Sequence, residues 1–216
     1  MSEDRGPNPP ATDDESGAIV YVLDLVSSAG AVVLVGALLF AISGLFPPLV
    51  AIESGSMEPH IGTGDLVFVM DEDRFAGEGS YAETGVVPAS SGTTTGYTSF
   101  QQPGDVIVFY PDGDESKTPV IHRAMFWVND SENWYERADP DYLGGADSCE
   151  ELASCRPDHA GFITKGDNNS GYDQASALPS CEGTCEPVKK EWIVGTAESR
   201  VPLLGNIRLQ IQRALA

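Results

Sequence analysis

The sequence predicts a mainly β domain, tethered by one N-terminal transmembrane helix and ending in a short amphipathic helix. Three observations predict it. No charged residue lies between Asp24 and Glu53, a run of 28 residues. Five short β-branched or aromatic runs follow, and apolar residues recur at helical spacing over residues 202–216. Residues 1–17 (MSEDRGPNPPATDDESG) are rich in Pro, Asp, Glu and Ser. That composition cannot bury enough apolar surface to fold and reads as a disordered acidic N-terminus. Residues 18–48 read as the transmembrane anchor. Their core, residues 29–46, is almost wholly apolar, and about 20 such residues cross the hydrocarbon layer at about 1.5 Å each. Pro47 and Pro48, which lack an amide donor, are expected to end the helix. A cleaved signal peptide would carry a basic leading region and a shorter apolar core, so the segment reads as an uncleaved single anchor.

The β-rich domain is expected over residues 49–201. Its strands are residues 65–70 (DLVFVM), 105–110 (DVIVFY), 119–128 (PVIHRAMFWV), 161–165 (GFITK) and 192–197 (WIVGTA), bounded by Gly, Pro and Asp. Two insertions interrupt them. Residues 71–104 contain ASSGTTTGYTS and read as a long flexible excursion. Residues 129–160 are polar and carry two cysteines. In residues 202–216, Leu203, Leu204, Ile207, Ile211 and Leu215 recur as one helical stripe, for a membrane surface or for the domain itself.

Charge narrows the function. With 33 Asp+Glu against 12 Lys+Arg, the net charge is −21. The chain lacks the basic footprint that nucleic acid or anionic head groups require. The acid is spread along the chain, a solubility device of salt-adapted proteins, so the source reads as halophilic. Cys149, Cys155, Cys181 and Cys185 cluster in a loop-rich stretch and suggest two disulfides of unreadable connectivity in an oxidising compartment. The alternative, a metal site with His159, lacks the two-residue gap common in zinc ribbons. Arg5 and Arg74 are too few to orient the anchor by flanking charge. The cysteines instead place residues 53–216 on the extracytoplasmic side of the cell membrane.

Five islands carry the chemistry: Ser54-Gly55-Ser56-Met57-Glu58-Pro59, Gly64-Asp65-Leu66-Val67-Phe68, Gly104-Asp105-Val106-Ile107-Val108-Phe109, Ile121-His122-Arg123 and Lys165-Gly166-Asp167-Asn168-Asn169, with Asp173 beyond the last. Serine, histidine and aspartate together suit acyl transfer. Serine needs a base to take its proton, and the base needs a carboxylate to hold its tautomer. In order and in content, the islands resemble a type I signal peptidase, similar to the archaeal and endoplasmic-reticulum branch, which carries histidine where bacterial members carry lysine. Combined with the acidity, the resemblance points to a halophilic archaeon.

The resemblance implies a signal-peptidase-like β catalytic domain: a membrane-bound serine endopeptidase that cleaves N-terminal signal peptides from exported preproteins. It implies Ser56 as nucleophile, His122 as base and Asp173 as the catalytic acid. Asp167 would be a supporting residue that shapes the loop, and Ser54 a second oxyanion donor beside the Ser56 amide. No cofactor or metal is implied. The implied partners are signal peptides, the lipid bilayer and the protein-translocation channel. Other candidates read as structural. Asp65 and Asp105 open strands and read as turn residues satisfying local amides. Lys117 and His159 read as solvated, His60 as exposed, and Met57 as packing at the substrate-facing surface or as a plain apolar contact. Asn129 and Asn168 open glycosylation acceptors. The competing function is a membrane-anchored, disulfide-stapled extracellular binding module with vestigial peptidase motifs.

Overall fold

A computed structural model describes residues 13–152, 154–175, 185–207 and 209–210. The chain divides into two units, residues 1–41 and 42–216. The first carries helix α1 (Asp13–Ser43), which runs on into the second and of which the 25 residues Ile19–Ser43 are long and apolar enough to span a membrane. A helix apolar all round suits a lipid environment. It starts at Asp13, within the segment expected to be disordered.

The helix also stops earlier than the two prolines suggest. Gly44 takes φ +80°, a left-handed conformation in which an added Cβ would meet Arg74 Nε at 2.7 Å. The hydroxyl of Ser43, the last helical residue, donates to the Val69 carbonyl (2.7 Å) and accepts from the Leu45 amide (3.1 Å). Glycine and a long-range serine contact end α1 before Pro47 is reached.

The second unit is built on β1 (Leu49–Ala51), β2 (Leu66–Met70), α2 (Ala89–Thr95), β3 (Thr98–Ser99), β4 (Gln102–Pro103), β5 (Val106–Phe109), β6 (Val120–Val128), β7 (Gly161–Lys165) and β8 (Ile193–Val201). Six strands form one antiparallel sheet in the order β1-β2-β8-β5-β6-β7, and β3 and β4 form a separate small hairpin. The protein is therefore mainly antiparallel sheet with an apolar N-terminal helix. Every residue of β5 and β7 is buried: β5 is a continuous apolar run between two strands, whereas β7, at the sheet edge, also buries Thr164 and Lys165. Register places His122 of β6 opposite Ile107 of β5, and Arg123 opposite both Val106 and Lys165 of β7.

Both insertions are folded. The stretch expected to be a flexible excursion contributes α2, the β3–β4 hairpin and two fully buried residues, Val86 and Val87. Gly104, at φ +79°, lies so close to α2 that a Cβ would meet the Ala89 amide nitrogen at 2.3 Å. Asp105 anchors this region: one carboxylate oxygen accepts from the Val87 amide and the other from the Tyr97 hydroxyl, both at 2.7 Å. Its partners are not local amides, because β5 starts where the insertion folds back over it. Asp65 does hold a local amide, that of Gly62, but it also binds Arg200 and the Leu203 amide.

The second insertion is not a polar appendage. Trp134, Leu143, Leu152 and Cys155 form a core with Phe126 and Val128 of β6, and the Trp134 indole N–H donates to the Ser154 carbonyl at 2.7 Å. Cys149 and Cys155 form a disulfide. Cys185 is also disulfide-bonded, while Cys181 lies outside the described residues. Beyond β8, Leu209 is buried, whereas Leu203, Leu204 and Ile207 are exposed. The stripe read from spacing is thus not the face that packs here, and its members Ile211 and Leu215 lie outside the described residues.

Candidate active site

Ser56 sits on a tight turn held from within. The Glu58 amide donates to the Gly55 carbonyl, and the His60 and Ile61 amides donate to the Met57 carbonyl. Met57 and Ile61 are fully buried, so the turn is plugged into the core on one side while Ser54 stays exposed and Ser56 half-buried. Met57 is therefore a core residue, not a substrate-facing one. The Ser54 and Ser56 hydroxyl oxygens are 3.2 Å apart. Both border a groove of about 560 Å³, whose walls include Ile52, Val108, Ile121 and His122.

His122 lines this groove from β6, the strand next to the sheet edge. Its Nδ1 is 2.6 Å from Asp173 Oδ2, and both side chains are nearly buried. Asp173 opens a single 3₁₀ turn, Asp173–Ala175. The same Oδ2 accepts a 2.7 Å bond from the Thr164 hydroxyl, and Thr164 is held in turn by Gln174, whose Oε1 accepts the Thr164 amide and whose Nε2 donates to the Thr164 hydroxyl. A carboxylate fixed by two donors in a buried place gives the histidine ring one orientation. Thr164 and Gln174 have no motif signature; strand alternation alone could have pointed Thr164, two residues before Gly166, to the same face as its neighbours in register.

Asp167 is elsewhere. Its carboxylate receives both Nε and a terminal nitrogen of Arg123 at 2.8 Å, and it bonds His60 Nδ1 at 2.9 Å. The expectation that His60 is exposed is corrected: its side chain is only 16% exposed, because Asp167 draws it against the loop. Arg123 also donates to the Ser99 and Gly104 carbonyls, tying the first insertion to the same cluster.

The loop carrying Asp167 clamps the serine turn. The Asn168 amide donates to the Ser56 carbonyl at 2.8 Å and its side chain to the Gly55 carbonyl at 3.1 Å. Gly166 permits this approach, since a Cβ there would stand 2.7 Å from the Ser56 carbonyl oxygen. Lys117, by contrast, is half-exposed in an ion pair with Asp112. His159 stacks edge-on against Trp192, with Nδ1 at 3.1 Å from the Ala160 carbonyl. It is partly buried in an aromatic contact, which corrects the expectation of a solvated ring. Among the described residues no group of three or more His, Cys, Asp or Glu is placed to hold a metal ion.

No protein-family model matches the chain. Comparison with curated proteins does find relatives. Over 164 residues, the chain is 27% identical to the signal peptidase complex catalytic subunit SEC11 of Saccharomyces cerevisiae, in strain YJM789 and equally in strain JAY291. The likeness is to a signal peptidase. It covers 76% of this chain and 65% of the yeast subunit, so the chain spans a little under two thirds of the relatives it matches.

Proposed function

We propose that the protein is a membrane-bound serine endopeptidase that removes N-terminal signal peptides from exported preproteins. The observation that carries this reading is the buried 2.6 Å bond between His122 and Asp173, opening on the groove that also holds Ser56. The similarity to a signal peptidase subunit supports the substrate class.

In this reading Asp173 accepts the Nδ1 proton of His122 and so leaves Nε2 as the base. Nε2 takes the Ser56 proton as the serine oxygen attacks the scissile carbonyl, then returns that proton to the leaving amine. Water, activated by the same nitrogen, hydrolyses the acyl-enzyme. The Ser56 amide and the Ser54 hydroxyl, 3.2 Å from the nucleophile, are the proposed donors to the oxyanion. Asp167 serves as a positioning residue: with Arg123 and His60 it holds the loop whose Asn168 amide grips the Ser56 carbonyl.

The apolar helix α1 supports a single-pass anchor in the bilayer, and the Cys149–Cys155 disulfide supports an extracytoplasmic β domain. Signal peptides leaving a translocation channel are the natural substrates there, and the diffuse acidity suits a salt-rich exterior. The test is processing of a signal-bearing preprotein by membranes containing the wild type, Ser56→Ala or His122→Ala. Wild-type membranes should release the mature protein and both variants should leave the precursor uncut. Near-normal cleavage by either variant, with the protein folded and in the membrane, overturns the mechanism.

A further inference from the structure

A second cavity, of about 810 Å³, lies beyond the Asp167 loop and shares no lining residue with the Ser56 groove. It falls in the range of about 300–1,000 Å³ typical of small-molecule sites. Its charge is unusual for this chain: Arg123, Arg137 and Lys165 line it, three of only 12 cationic side chains against 33 acidic ones.

The arginines are satisfied. Arg123 is spent on Asp167 and on backbone carbonyls, and Arg137 on Glu132 and the Trp127 carbonyl. Of the two acids of the cavity, Asp167 is neutralised by Arg123 and bonded to His60, while Asp139, at the exposed side, accepts the Asp141 amide. Lys165 is different. It is 8% exposed, and its ammonium lies 4.6 Å over the Tyr142 ring. It donates one hydrogen bond, to the Gly166 carbonyl at 3.0 Å. A lysine carries three donors, and among the described residues the other two meet no acceptor and no carboxylate forms an ion pair with it. Leaving donors of a buried ammonium unmatched is costly, and such groups normally have a partner. His60, on the same lining, bonds Asp167 through Nδ1, and its Nε2 donates to an anion only when the ring is protonated. Phe126, Met125 and Pro140 supply an apolar wall.

We propose that this cavity binds a small organic carboxylate, its anionic head on the Lys165 ammonium beside His60 and its apolar body against Phe126, Met125 and Pro140. The binding site is separate from the peptidase groove and does not depend on the peptidase reading. Burial also lowers the pKa of the Lys165 amine, and a bound carboxylate would restore the charged form.

The experiment uses the full chain in detergent, 4-phenylbutyrate as probe and 4-phenylbutanol as its uncharged counterpart. Lysines are acetylated with a neutral reagent and the rate at each site is read by mass spectrometry, with Lys117, Lys189 and Lys190 as internal references. At about ten times its Kd the carboxylate should slow acetylation of Lys165 roughly tenfold and leave the references unchanged, while the alcohol protects weakly. Saturation-transfer NMR of the same probe should show affinity about tenfold weaker or worse for Lys165→Met. Melting temperatures of Lys165→Met and of a second variant, Phe126→Leu, whose affinity for the probe should also fall, separate lost binding from lost folding. Equal protection by acid and alcohol, no selective protection of Lys165, or undiminished binding to Lys165→Met overturns the proposal.

Discussion

Asp167 and Asp173 lie six residues apart in one segment, yet their environments predict opposite failures when each is changed to asparagine. Asp167 forms a two-pronged ion pair with Arg123, the two side chains being 7% and 4% exposed, and holds His60 as well. Breaking a buried pair from one side costs about 3–5 kcal/mol because the remaining charge is stranded. Asparagine keeps one oxygen for the guanidinium, so the lower end, about 3 kcal/mol, applies. At roughly 2–4 °C per kcal/mol for a chain of this size, Asp167→Asn should melt about 10 °C below the wild type.

Among the described residues Asp173 forms no close ion pair with an arginine or lysine, although its charge also favours the Lys165 ammonium. In Asp173→Asn the amide that replaces Oδ2 meets His122 Nδ1 as a donor and favours the wrong tautomer, and it takes from the Thr164 hydroxyl the acceptor that the same oxygen supplied. In a triad that change costs about 10⁴ in turnover, with a stability loss of only about 1–2 kcal/mol. The assay is a pair: thermal melts in detergent, and initial cleavage rates measured well below both melting points. Asp167→Asn should be soft but retain most of its turnover when cold, and Asp173→Asn should be firm but nearly dead. If Asp173→Asn cleaves like the wild type while Asp167→Asn is inactive though folded, the reasoning from geometry fails and the roles are reversed.

Burial raises the Asp105 carboxyl from 3.8 to about 6 despite its bonds to the Val87 amide and Tyr97. The folded state therefore holds that proton more tightly than the unfolded chain, and stability is lost as pH rises from about 4 through about 6. Asp105→Asn lacks this loss, so its melting temperature should gain on the wild type by the equivalent of up to about 3 kcal/mol between pH 4 and 7; parallel curves would refute it. Thr164→Val removes one of the two donors holding Asp173 and should lower turnover about tenfold with a stability loss of about 1–2 kcal/mol. An unchanged rate would show that His122 alone positions the carboxylate. The net charge of −21 opposes compaction until salt screens it. The melting temperature should climb as the Debye length shrinks from about 10 Å at 0.1 M to about 3 Å at 1 M, and insensitivity to salt would give the acid another purpose.

What the sequence determined by itself is what is encoded locally. The five strands fall within a residue or two of the β-branched runs at their starts, and α1 covers the uncharged segment as far as Ser43, because side-chain shape and apolar continuity act between neighbours in the chain. β1 was missed because three residues next to two prolines carry no periodicity, and β8 runs on to Val201 because its polar end still pairs with β2. The residue types of the candidate site were legible as motifs.

Their partners were not. Asp173 meets His122 across 51 residues, Asp167 meets His60 across 107, and Asp105 meets Val87 across the fold of an insertion that composition made look mobile. The end of α1 likewise rests on Val69, which Ser43 reaches only once β2 is in place. Which of two nearby carboxylates faces the histidine was decided by tertiary structure. Hydrogen bonds act over about 3 Å, and only the folded sheet brings residues that far apart in sequence to that distance.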